Sequence, residues 1–175
     1  SSLFTYALIK FLKPFLSKFF LDTPGDRSSH SQPTPTGAGM SFVISSVILS
    51  FVTKWYLPLI CLPLALVGFV DDKYNLPRFT RYGVQILTAI SLINIYAKNN
   101  ENLSFLFQEN LFNLLLIFIF IIGITTIINF SNFMDGMDGL LAGSYFIAFS
   151  FLTISYNQNL IFLSAALFSF LILNW

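Results

Sequence analysis

The chain has 175 residues, 55% of them hydrophobic and 10% charged, with a formal net charge of +1, and a mean hydropathy of +0.75, values outside the range of an ordinary soluble domain. A charge near zero with no basic block argues against a nucleic-acid partner, which needs clustered cations to neutralise phosphates. The single cysteine, Cys61, leaves no intrachain disulfide and no thiolate metal cluster, and the composition as a whole predicts an all-α integral membrane protein, a multi-pass transmembrane helix bundle forming one membrane domain.

Residues 3–21 are apolar but carry Lys10, Lys13 and Lys18. That pattern fits the exit end of a membrane helix whose lysines snorkel to the surface, and equally an amphipathic helix lying on the surface. There is no initiator Met, and residues 160–175 stop partway through an apolar run, so the expectation is the front part of a longer protein. Residues 22–39 follow as a loop rich in Pro, Gly, Ser and Thr. Within it Arg27 can bind phosphate bidentately or mark topology. His30 can contact phosphate or shuttle a proton, or be a solvated side chain.

Apolar runs at 40–53 and 55–70 are separated by Lys54 and flanked by Trp55 and Tyr56, residues suited to an interfacial turn between antiparallel spans. Residues 71–82 form the next polar loop, with Asp71, Asp72, Lys73, Arg78 and Arg81. Adjacent carboxylates at the mouth of a span can hold Mg²⁺ against phosphate oxygens, or one can take a proton from an attacking group. They can also be interfacial acids balanced by Lys73 and Arg78, and Arg78 and Arg81 are read as topology markers. A span at 83–97, polar stretches at 98–102 and 108–110, and a long apolar run at 111–128 lead to residues 129–139.

There two amides and two carboxylates, Asn129, Asn132, Asp135 and Asp138, recur at every third position between two apolar runs. Such groups are costly in hydrocarbon and belong at a membrane face or in a wet cavity, which makes the segment a candidate site. A helical turn puts Asp135 and Asp138 on one side, whereas Gly136 and Gly139 permit a close approach of backbone to ligand or an ordinary turn. The chain leaves through 140–156, turns at 157–159 and enters its last, partial run at 160–175.

Two spans separate the first polar loop from the second, and two more separate the second from the third, so the loops 22–39, 71–82 and 129–139 emerge on one face. All six aspartates lie there, and Glu101 and Glu109 lie opposite. Arg27, Lys73, Arg78 and Arg81 share the aspartate face, which by the positive-inside rule is cytoplasmic.

Together the loops resemble the polyprenyl-phosphate N-acetylhexosamine-1-phosphate transferases of glycosyltransferase family 4, which include phospho-N-acetylmuramoyl-pentapeptide transferase. The matching residues are Arg27-Ser-Ser-His30 with Pro33-Thr34-Pro35 and Gly37 to Gly39, then Gly68 with Asp71-Asp72 and Asn75, then Asn129-x-x-Asn132-x-x-Asp135-Gly136-x-Asp138-Gly139-Leu140. The first loop looks most like the branch that primes O-antigen and related surface glycans.

The resemblance implies transfer of N-acetylhexosamine 1-phosphate from a UDP-sugar to undecaprenyl or another polyprenyl phosphate in the cytoplasmic (inner) membrane, releasing UMP and requiring Mg²⁺ or Mn²⁺. By the same resemblance Asp71 and Asp72 are catalytic, one of them activating the lipid phosphate. Arg27, His30, Asn129 and Asn132 bind substrate, and Asn132, Asp135 and Asp138 hold the metal. Thr36 stands where many relatives have a basic residue, and Ala38 replaces a glycine. A later Asp motif and a His-rich loop of the family fall beyond Trp175. A transporter and a non-catalytic remnant of the same fold are the competing readings, and the sequence leaves the oligomeric state open, a homodimer included.

Overall fold

The computed structural model describes residues 2–19, 21–22, 34–35, 39–134 and 139–173. Helices dominate it: α1 (Ser2–Phe19), α2 (Gly39–Thr53), α3 (Leu57–Ile60), α4 (Leu62–Tyr74), α5 (Arg78–Asn99), α6 (Leu111–Met134), α7 (Leu140–Ser155) and α8 (Leu160–Leu173), with a 3-10 segment at Glu101–Phe107. The sole extended pairing among the described residues is antiparallel, β1 (Leu21–Asp22) to β2 (Thr34–Pro35), with Leu21 opposite Pro35. This pair packs against α1.

One helix among the described residues, α6, is both long and apolar enough to cross a membrane; α2, α7 and α8 are apolar but shorter. At 24 residues, α6 is about 36 Å long, enough for a hydrocarbon layer of about 30 Å. The 55–70 run is two helices rather than one span. Pro58 and Pro63 sit in the first turns of α3 and α4, where a missing N–H is tolerated, and Cys61 between them caps both helices.

The polar segments are shorter as loops than the sequence implies. Helix α4 runs through Asp71 and Asp72 to Tyr74, and α5 begins at Arg78. Of the predicted loop 71–82, only residues 75–77 are non-helical. Likewise α6 continues past residue 128 and carries Asn129 and Asn132 in its last turns.

Two packing systems hold the bundle. In the first, α1, α2, α7 and α8 meet through small residues: Ser41, Ser45, Ser46 and Ser50 of α2, Ala142 of α7, and Ser164, Ala166 and Ser169 of α8 are buried. Small side chains let helix axes approach closely, and the hydroxyls bond across the seam. Thr5 donates to Ser45 at 2.9 Å; Ser2 pairs with Ser169 at 2.6 Å; Ser150 pairs with Ser164 at 2.6 Å. In the second, α5 packs against both α4 and α6. Its far end is tied by Asn113, whose amide donates to the carbonyls of Phe105 (2.8 Å) and Gln108 (3.2 Å) and so anchors the connection between α5 and α6.

Candidate functional site

The site is built from the carboxyl end of α4, the amino end of α5 and the carboxyl end of α6. Helix α4 ends where Asn75 adopts the left-handed conformation (φ 47°) and donates its N–H to the Asp71 carbonyl at 2.9 Å. Asn tolerates that conformation better than most residues. Pro77, at φ −55° and ψ 140°, then starts α5 by accepting from the Thr80 N–H at 3.0 Å.

The Asp71 carboxylate holds this turn together. Its Oδ1 accepts from the Leu76 N–H at 2.7 Å, and its Oδ2 accepts from Arg81 at 2.9 Å. Each oxygen thus has one protein partner, Oδ1 a backbone N–H and Oδ2 a guanidinium. Asp72, the next residue, is exposed. The arginine read from sequence as a topology marker is the partner of the first motif acid; charge counting alone does not distinguish those roles.

One turn further along α5, Gln85 is buried and forms a reciprocal amide pair with Asn129. The Asn129 Nδ2 donates to Gln85 Oε1 at 2.8 Å, and Gln85 Nε2 donates to Asn129 Oδ1 at 3.3 Å. The second Nδ2 hydrogen of Asn129 goes to the Thr125 carbonyl at 2.8 Å. Sequence reasoning missed Gln85. Its signal was an amide inside the apolar run 83–97, which also holds Asn94, where a polar side chain needs a partner.

These contacts bring two predicted site residues to the same end of α5: Asp71 through Arg81, and Asn129 through Gln85. Asn132 is exposed near the end of α6. Beside it, Ser131 bonds the Tyr145 hydroxyl and ties α6 to α7. Arg27, His30, Asp135 and Asp138 lie outside the described residues. Among the described residues no three His, Cys, Asp or Glu side chains gather as metal ligands. The remaining predicted donors, Asp72 and Asn132 with Asp135 and Asp138, are all oxygen donors, a set chemically suited to Mg²⁺.

Residues 54–175 match the family model described as Glycosyl transferase family 4. The chain belongs to that family. No curated protein and no solved structure matches the chain. Membership makes this a transferase of the polyprenyl-phosphate sugar-phosphate type, in a family that typically acts on a polyprenyl phosphate lipid and a nucleotide sugar at a membrane. The family match takes in the helices that carry Asp71, Asp72, Asn129 and Asn132, and starts after the loop that carries Arg27 and His30.

Proposed function

We propose that this family 4 protein transfers N-acetylhexosamine 1-phosphate from a UDP-sugar to undecaprenyl phosphate, releasing UMP and starting a lipid-linked surface glycan such as O-antigen. The carrying observation is the joining of Asp71 and Asn129 through adjacent turns of α5, since donor and acceptor phosphates have to meet at one place. The proposed setting is a multi-pass bundle in the cytoplasmic membrane with the motif residues on the cytoplasmic face. Supporting it, only 6% of the apolar window of α6 is buried within the protein, whereas the core helix of a soluble domain is mostly covered. That much exposed hydrocarbon calls for lipid or a second copy of the chain.

In the proposed reaction an oxygen of the lipid phosphate attacks the β-phosphorus of the UDP-sugar. The bond from that phosphorus to the bridging oxygen breaks, and the electron pair leaves with UMP. The acceptor phosphate loses any remaining proton to Asp72, which is exposed at the end of α4 and carries a carboxylate that can act as a general base. Asp71 serves by holding the turn that presents Asp72. Asn132, Asp135 and Asp138 are the residues proposed to hold Mg²⁺ or Mn²⁺, which when bound neutralises charge on the diphosphate. Arg27 and His30 are assigned to phosphate or sugar contacts on the resemblance of their loop alone.

The test is UMP-dependent exchange of labelled UMP into UDP-sugar in membranes carrying the full protein. Exchange in the wild type that is lost in Asp72→Asn supports the reading; undiminished exchange in that variant removes the role of Asp72. Solute uptake by reconstituted protein without any lipid acceptor would favour a transporter instead.

A further inference from the structure

Asn129 is a motif residue, yet most of its hydrogen-bonding capacity is spent inside the protein. A side-chain amide has two N–H donors and a carbonyl oxygen with two lone pairs. Both donors of Asn129 are used, on the Thr125 carbonyl and on Gln85 Oε1, and one lone pair of Oδ1 receives Gln85 Nε2. The Thr125 carbonyl can only accept, so it fixes which end of the Asn129 amide faces it. Gln85 reads the other end with a donor and an acceptor in matching positions. What Asn129 retains for a ligand is one lone pair on Oδ1.

We propose that Gln85 is a positioning residue for the sugar-nucleotide half of the site: it locks the Asn129 amide so that Asn129 meets its ligand as an acceptor, not as a donor to phosphate. This rests on the transferase reading above. Gln85 lies four residues after Arg81, on the same face of α5, and Arg81 holds Asp71. No Cα of α4 lies within 8 Å of one in α6 among the described residues. Helix α5 is thus the element through which the lipid-phosphate side at Asp71 and Asp72 and the nucleotide side at Asn129 are registered.

The deciding experiment uses the full protein purified in detergent, with Gln85→Met, Asn129→Leu and the double variant. Each single substitution is expected to lower Tm, and the double variant to fall no further than the worse single one, because both remove the same pair; additive shifts overturn the pairing. In the exchange and transfer assays, Gln85→Met is expected to raise the KM for the UDP-sugar about tenfold, the equivalent of about 1.4 kcal/mol, with the KM for polyprenyl phosphate within a factor of two. An unchanged UDP-sugar KM, or an equal rise in both constants, overturns the positioning role, since general loosening does not select one substrate. Should Gln85→Met fail to fold, Gln85→Glu is isosteric and, when ionised, lacks the donor to Asn129 Oδ1; the same split is expected and the same results overturn it. A wild-type protein that transfers no sugar phosphate defeats the transferase reading, while the Tm cycle still judges the amide pair.

Discussion

Helices α1, α2, α7 and α8 meet through hydroxyls and alanines, whereas α5 meets α4 and α6 through an ion pair and a reciprocal amide pair. The difference lies in where the polar contacts end. In the first group, Thr5–Ser45, Ser2–Ser169 and Ser150–Ser164 join residues that belong to no motif, so they specify helix packing. In the second, Arg81 ends on Asp71 and Gln85 ends on Asn129, so the bonds that hold the helices also orient the proposed chemistry. Substitutions in the first group should therefore change stability alone, and those in the second should change activity with stability or in place of it.

The largest effect, and the sharpest division within the second group, is expected at the paired aspartates. Asp72→Asn should cut exchange by about 10²–10⁴-fold, the range of a lost general base, with the smaller change in Tm. Asp71→Asn puts an amide N–H against Arg81, or takes the acceptor away from the Leu76 N–H, and so should lower Tm and activity together. Measuring exchange and thermal unfolding on both variants decides it. A reversed ranking, with Asp71→Asn inactive at unchanged Tm and Asp72→Asn active, would move the reaction to Asp71.

Next comes Arg81→Met, which leaves Asp71 Oδ2 without its cation. The side chains of Arg81 and Asp71 are 36% and 19% exposed, so water recovers part of the loss and about 1 kcal/mol is expected. Activity should fall with Tm, and Arg81→Lys should restore part of both. Full activity in Arg81→Met would show that the α4–α5 turn holds without its ion pair.

How much of this was legible in the sequence follows from which forces are local. The order of apolar runs and polar segments led to the expectation that the motif loops share one face; the structure itself joins Asp71 and Asn129 through Arg81 and Gln85 of α5. Helix extents were not legible, because a polar side chain reads as a loop until its tertiary partner is known. Asp71 stays helical while its carboxylate takes the Leu76 N–H, and Asn129 stays helical while its amide is satisfied by Thr125 and Gln85. The break at Cys61 has its signal in Pro58 and Pro63, which hydropathy by itself does not register. Gln85 needed a different question: which polar group inside an apolar run must find a partner, and on which helix.

In the packing half the expected changes are in stability. Ala166 has no exposed surface in α8, so Ala166→Leu adds three carbons where there is no room. A cost of about 1–3 kcal/mol is expected, read as a fall of several degrees in Tm with both KM values unchanged in the protein that remains folded. A shifted UDP-sugar KM without a fall in Tm would show that this half also reaches the site.

The smallest effect is expected at Ser164, where the contrast between the halves is hardest to see and so most exacting. Ser164→Ala removes the bond to Ser150, but Ser150 keeps its donation to the Phe146 carbonyl at 2.7 Å. No buried donor is stranded, and the methyl group of alanine fits wherever the serine Cβ did. Hydrogen bonds between membrane helices are worth about 0.6 kcal/mol on average, which in a chain of this size corresponds to about 2 °C or less in Tm. Gln85→Met, by contrast, strands two hydrogen-bonding groups of Asn129. A fall in Tm at Ser164→Ala as large as that at Gln85→Met would mean that the hydroxyl seam is a cooperative network, and the division of labour between the two halves would fail.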